Sequence, residues 1–244
     1  MELSALTGRR VLVTGASSGI GLATARACAA AGARVALVAR RAERLEVLAD
    51  EIGAVACPAD VTDEAAAVQA VDFAAHALGG LDAVVNNAGV MRPSLIGEGR
   101  VADWRAMLEV NVLALLLVAH AALPHLRSAG RGDLVTVSSQ AGRRVPNAAA
   151  GVYSGSKFAA HAVSEGLRRE LHAEGIRVTV IAPGIVETDL LEGDDHDAAR
   201  RLRERASELG LSPEAVAGQI VHALAQPPEV LLREIAMSAT AQDT

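Results

Sequence analysis

The residues best equipped for chemistry are a tyrosine and a lysine four positions apart, in Tyr153-Ser154-Gly155-Ser156-Lys157. They are the only tyrosine and the only lysine in the chain, and every other fixed positive charge, from Arg9 to Arg233, is arginine. Four residues make one helical turn, so the phenol and the ammonium project from one face. A phenol with an ordinary pKa near ~10 exchanges protons poorly at neutral pH. A cation about 4 Å away, at an effective dielectric near 20, favours the phenolate by roughly 4 kcal/mol, or about three pKa units. That is what a phenolic general acid needs. An amphipathic surface pair would show the same spacing, so the rest of the chain must decide.

Positioning such a pair takes a framework, and its outline is visible. Strand patterns fall at 9–14, 34–39, 54–59, 83–86, 133–138, 177–182 and 230–237. Helical patterns lie near 19–31, 42–52, 63–78, 101–127, 152–174 and 213–225. Alternation of this kind predicts an α/β fold, a single-domain doubly wound (Rossmann) parallel sheet of about seven strands with helices on both faces. No linker or repeat divides the 244 residues. In such sheets the ligand crevice opens at the carboxyl ends of the strands. One segment departs from the pattern. Residues 187–211 carry Glu192-Gly193-Asp194-Asp195-His196-Asp197 and then Arg200, Arg201, Arg203 and Arg205. A solvated helix and a mobile lid over the crevice both fit it.

The first strand runs into Thr14-Gly15-Ala16-Ser17-Ser18-Gly19-Ile20-Gly21, and a helix follows. Glycines let the backbone approach a pyrophosphate, whose charge is met by the helix N-terminus. This turn, TGxxxGxG, resembles that of the short-chain dehydrogenase/reductase family, and the resemblance covers nearly the whole chain. Asn86-Asn87-Ala88-Gly89 ends the fourth strand, and Asn111 follows on the next helix. Ser138-Ser139 ends the fifth strand, with Tyr153 and Lys157 beyond. Pro183-Gly184 ends the sixth, and Thr188 follows four residues after that glycine. The stretch Ala121-Ala122-Leu123-Pro124-His125-Leu126 and the closing strand are similar to the NADP-dependent bacterial branch that includes clavulanate-aldehyde reductase and reductases of small hydroxy acids.

The resemblance implies a role for each of these residues. Gly15, Ser17, Ser18, Gly19, Ile20 and Gly21 would cradle the cofactor phosphates. Asn87, Ala88 and Gly89 would line its adenosine side, with Asp60 on the adenine and Val61 beside it. Pro183, Gly184, Ile185 and Thr188 would hold the nicotinamide end. Ser139 would donate to the carbonyl oxygen and Tyr153 would give or take its proton. Lys157 would bind the nicotinamide ribose, and Asn111 would hold a water joining Lys157 to solvent. Ser138, on the opposite side of an extended strand, has no catalytic role.

Cofactor choice turns on the end of strand two, Ala39-Arg40-Arg41. An NAD enzyme carries an acidic residue there to bind the ribose hydroxyls. Two arginines just before a helix oppose its macrodipole, and an anion would relieve them. Guanidinium also suits phosphate better than a diol. Solvated charges are the alternative; the reading favours NADP(H), with Arg40 and Arg41 on the 2′-phosphate.

Composition narrows the field further. Net charge is −6, which argues against nucleic acid as a partner. The seven histidines show no metal-ligand spacing. Cys28 and Cys57 read as reduced core residues. The start, MELSALTGRR, lacks a signal-peptide run. The apolar stretch 112–123 reads as too short for a bilayer. Together these predict a cytoplasmic protein without a membrane partner or a metal. Helices 101–127 and 152–174 would pair between copies into a homodimer or homotetramer. The substrate would be a small carbonyl or alcohol, in a pocket drawn from 91–96, 140–147 and 185–191. Arg143 and Arg144 read as structural or exposed, and His161 and His172 as packing or surface residues. A 3-oxoacyl-carrier-protein reductase and a non-catalytic NADP-binding redox sensor are the competing functions.

Overall fold

A computed structural model describes residues 5–242. Short aliphatic runs form seven strands: β1 (Arg10–Thr14), β2 (Arg34–Ala39), β3 (Val55–Pro58), β4 (Ala83–Asn86), β5 (Gly132–Val137), β6 (Ile176–Pro183) and β7 (Glu234–Met237). All pair in parallel, in the order β3-β2-β1-β4-β5-β6-β7. The helices are α1 (Gly19–Ala30), α2 (Ala42–Ile52), α3 (Glu64–Leu78), α4 (Val101–Leu108), α5 (Ala114–Ser128), α6 (Gly151–Leu171), α7 (Asp197–Leu209) and α8 (Pro213–Leu224).

A parallel sheet must be covered on both faces, and the period of two along each strand decides which residue meets which layer. Leu12, Val84 and Leu134 pack among residues of α3, α5 and α6. Val11, Val13, Val85 and Val135 face the other way, onto α1, α2 and α8. Each aliphatic side chain buried this way is worth roughly 1.5–3 kcal/mol. A one-residue slip would exchange the faces, so the register is firmly set.

The structure corrects the expected elements in two places. The helix expected over 101–127 is interrupted by a π-helical turn, Glu109–Leu113, between α4 and α5. β7 begins at Glu234 rather than at Val230. Arg177 Nη1 donates to the carbonyls of Gln226, Pro227 and Val230, at 3.1, 2.9 and 2.8 Å, which curls the chain before the strand. The helical run Val101–Ser128 is also longer than the stretch 112–123, and by length and composition it could cross a membrane. In this fold Ala114, Val118, Ala122 and Leu126 bury one side of it against the sheet.

Candidate active site

The strand order reverses between β1 and β4, and the chain opens a crevice at their carboxyl ends. Its cavity of about 370 Å³ is lined by every residue assigned above to the cofactor except Gly21 and Ile185. Gly21 serves packing instead. A Cβ there would come within 2.2 Å of the Gly15 carbonyl oxygen, so only glycine lets α1 close onto the turn. Ile185 stands in the wall of the adjoining cavity.

The crevice is built to receive an anion. Ser18 precedes α1 but its side chain does not cap the helix, and the first turn holds no acidic residue. The leading N–H groups of α1 are therefore open to a ligand phosphate. Arg41 adds to this, donating from Nε to Ser17 Oγ at 3.1 Å and from Nη2 to Ser18 Oγ at 2.6 Å. Arg40 is exposed and lies 3.9 Å from Asp60. Burial opposes the charged form of Asp60, but the Thr62 N–H and hydroxyl, with Arg40, hold its pKa below the ordinary value.

At the far end of the crevice β5 presents its two serines to opposite sides. Ser138 Oγ lies 2.9 Å from His161 Nδ1 and 3.3 Å from the Lys157 carbonyl oxygen. His161 is thus a bonded residue behind the strand, with Nε2 3.5 Å from Glu234. Ser139 faces the cavity; its Oγ accepts from Ala141 N–H at 3.0 Å and lies beside Tyr153. Tyr153 and Lys157 are both buried in α6, on one face as the spacing requires.

Their electrostatics differ from the sequence expectation. Lys157 Nζ is 5.9 Å from the centroid of the Tyr153 ring, and it donates to the Val137 carbonyl at 3.0 Å. Burial pushes the Tyr153 phenol up to about 12, against a hydrogen bond from Ser139 that acts in the opposite sense. Burial also pushes the Lys157 ammonium down to about 8. The expected fall of the phenol pKa is therefore absent here, because desolvation outweighs a cation at this distance.

Asn111 occupies the π-helical turn. Its Oδ1 accepts from Val90 N–H at 2.8 Å, and its Nδ2 donates to Val90 O and to Ser156 Oγ, each at 2.9 Å. It ties the segment after β4 to the helix of Lys157. A cavity of about 10 Å³ touches Asn111 and Lys157, close to the room of one water.

A second cavity, of about 610 Å³, meets the crevice at Ser139 and Tyr153. Met91, residues of 140–147 and all of 185–191 contribute, while 92–96 do not. One wall is α7, within the charged segment, through Leu202, Arg205 and Ala206. That segment is fastened by His196 Nε2 at 2.9 Å from Glu98 and by Arg100 at 3.7 Å from Asp194. The adjacent arginines part company. Arg143 pairs with Glu234 at 3.2 Å, whereas Arg144 lines the cavity. Sequence reasoning missed Gln242, which also lines it. Nothing in the polar stretch 238–242 distinguishes Gln242 before the fold is known.

Known proteins resemble this chain over most of its length. The family model for short chain dehydrogenases matches residues 9–199. A glycine betaine reductase of Emericella nidulans is 40% identical over 237 residues, which are 94% of this chain and 18% of that protein. The chain thus spans under a fifth of that relative's length. An uncharacterized oxidoreductase of Staphylococcus aureus is 35% identical over 96% of this chain and 98% of its own. A short chain dehydrogenase from Burkholderia cenocepacia, solved in complex with NADP, superimposes with a TM-score of 0.85. It is 35% identical over 96% of this chain and 98% of that one.

Proposed function

The chain belongs to the short-chain dehydrogenase family, and on that premise we propose an NADP(H)-dependent carbonyl reductase or alcohol dehydrogenase of small substrates. The observation that carries this reading is the meeting of two cavities at Ser139 and Tyr153. One has the anion-binding features of a dinucleotide site, and the other has room for a small molecule. The uncapped start of α1 and the Arg41–Ser17–Ser18 cluster fit a cofactor carrying a 2′-phosphate. When bound, the nicotinamide supplies or accepts the hydride.

The chain's own residues supply the rest. In reduction the Ser139 hydroxyl donates to the carbonyl oxygen as negative charge builds there. The Tyr153 hydroxyl then gives that oxygen a proton, and burial keeps the phenol protonated at neutral pH. Lys157 lies near enough to favour the resulting phenolate, and Asn111 with its small cavity offers a water route for replacing the proton. In this reading α7 and the rest of 187–211 act as a substrate lid on one domain. Free, buried Cys28 and Cys57 suit a cytoplasmic setting.

A second reading, 3-oxoacyl-carrier-protein reductase, is favoured by one observation. Arg144 and Arg205, both without an ion-pair partner among the described residues, line the substrate cavity and could meet an acidic carrier. Glu187 and Asp189 line the same cavity and temper that charge. A non-catalytic sensor is disfavoured because the serine, tyrosine and lysine are all kept and adjacent.

The test is purified protein with NADPH or NADH against aldehydes, ketones, and 3-oxo esters free or carrier-linked, followed by loss of reduced-cofactor absorbance. Turnover is expected with NADPH preferred at least ~10-fold in affinity, about 1.4 kcal/mol, a modest demand on one charge-assisted phosphate contact. No turnover with any carbonyl, or equal affinities, would sink the reading. Activity confined to carrier-linked esters would replace it with the second.

A further inference from the structure

Behind the loop that carries Ser139, one imidazole touches the chain on both sides of that serine. Before it, Ser138 Oγ lies 2.9 Å from His161 Nδ1. After it, Gly142 rests on the same ring. A Cβ at 142 would stand 2.5 Å from Nδ1 and 2.7 Å from the Lys157 carbonyl oxygen, so only glycine allows this approach. His161 follows Lys157 by one turn of α6, and its Nδ1 is 3.1 Å from that same carbonyl oxygen. The Ser138 hydroxyl reaches the oxygen too, at 3.3 Å. Nδ1, Ser138 Oγ and Lys157 O thus close a triangle. A carbonyl oxygen can only accept, so the triangle is satisfied when Nδ1 carries a proton and the Ser138 hydroxyl donates to Lys157 O. On its far side the ring is braced by β7. Nε2 lies 3.5 Å from Glu234 Oε1, which Arg143 Nε meets at 3.2 Å.

Ser139 needs such support, because its own bonds are few. Its Oγ accepts from Ala141 N–H at 3.0 Å and donates to Pro183 O at 3.4 Å, a long contact. Its place is therefore set by the residues that flank it, and these rest on the turn of α6 that bears Lys157. We infer that His161 is a positioning residue, which fixes the reach of Ser139 relative to Tyr153 and Lys157. A donor aimed at developing charge acts only when it is held where that charge appears. Without the imidazole, Ser138 and Gly142 lose their common support, and the serine between them drifts. The inference rests on the reading of Ser139 as the donor to the substrate oxygen.

Three variants separate this role from packing. His161→Leu fills the space and removes both nitrogens. His161→Asn returns an amide nitrogen to the place of Nδ1, and His161→Gln places its amide nearer that of Nε2. With NADPH and one aldehyde, kcat should fall about tenfold for the leucine and glutamine variants and no more than about threefold for asparagine, the scale of a partial misplacement of reacting groups. NADPH affinity should hold in all three. A fully active leucine variant would overturn the inference. So would an asparagine variant no better than leucine, or a matching loss of NADPH affinity, either of which would reduce His161 to packing. Nitrogen NMR of the unmodified protein should find a proton on Nδ1, and its absence would refute the triangle whatever the variants do. Amide hydrogen exchange at Ala141 needs neither cofactor nor substrate and should quicken in His161→Leu. If the unmodified protein reduced no carbonyl, the functional reading would fail by itself. Unaltered exchange at Ala141 would then end the claim for His161, and quickened exchange would uphold it.

Discussion

Lys157 is 5% exposed, and its ammonium is held below its ordinary pKa of 10.5, at about 8, by burial. Folding thus disfavours the charged form. Below pH 8 the lysine is protonated both folded and unfolded, and the full desolvation cost is present. Between pH 8 and 10.5 the unfolded chain binds more protons, so stability rises with pH, and above that range the cost is gone. The gap corresponds to about 3 kcal/mol. Lys157→Met should therefore be inactive yet more stable at pH 7, with the gain shrinking as pH passes from 8 to 10.5. Thermal melts of the ligand-free proteins across that range would show it, and a variant less stable at pH 7 would refute it. Lys157→Arg keeps a charge but adds a bulky planar fork to a buried site, and activity should fall on the order of 10²-fold. A fully active arginine variant in this arginine-rich chain would show that lysine is dispensable there. The neighbouring serines give a sharper contrast. Ser139→Ala should lower kcat by roughly 10²-fold with NADPH binding intact, since an oxyanion donor acts on the transition state. Ser138→Ala, which loses only its contacts to His161 and the Lys157 carbonyl, should be much milder. Reversed effects would mean that the register at the end of β5 had been read one residue out. For the cofactor, Arg41→Leu should weaken NADPH about tenfold and Arg40→Leu less, because Arg41 alone is oriented by Ser17 and Ser18.

Among the elements, the π-helical turn between α4 and α5 has most to answer for. Widening the helix by a residue lets the Asn111 side chain bond Val90 on one side and Ser156 on the other. Asn111→Leu should leave those partners unmatched and block the small cavity. We expect kcat to drop by about 10²-fold while NADPH affinity holds, the scale of displaced acid–base machinery. Equal losses in both would assign Asn111 to packing alone. This turn was illegible in the sequence because Glu109-Val110-Asn111-Val112-Leu113 contains no glycine or proline, and apolar periodicity does not separate a π-turn from a continuous helix. The strands, by contrast, were legible nearly to the residue. The central ones, β1, β4, β5 and β6, are short aliphatic runs buried on both faces, so local pattern and tertiary demand agree. β7 failed that rule at its start because a distant arginine, Arg177, took the carbonyls of 226–230. The same explanation covers the site. Motif residues on strand ends could be placed beforehand. Gln242 could not, since its contacts come from a tail whose own sequence carries no pattern. The pKa of Tyr153 could not either, because burial is a property of the fold.

On the scale of the whole molecule, one side remains unusually apolar. Leu108, Leu113 and Leu116 on the run from α4 to α5, and Phe158 on α6, are each 41–50% exposed. Contiguous apolar exposure on long helices marks an association surface. Leu113→Glu combined with Leu116→Glu should convert a dimer or tetramer to a monomer by sedimentation, with the fold unaltered by circular dichroism. An unmodified protein that sediments as a monomer would rule the surface out. At the opposite end of the strands, buried Asp133 gathers Arg9 and Arg177 at 2.5 and 2.7 Å, joining the starts of β1, β5 and β6 away from the crevice.

The strand β7 also sets an order of events during synthesis. The polypeptide emerges amino end first, at about 5–20 residues per second, and can begin to fold as it does so. A chain made as far as Arg233 already contains Ser139, Tyr153, Lys157 and the whole nucleotide crevice, yet lacks the strand that Gln140 and Gly184 both grip through the Met237 carbonyl. Such a nascent chain could hold a nucleotide before its reacting groups were aligned. Competence to turn over would wait for 234–242.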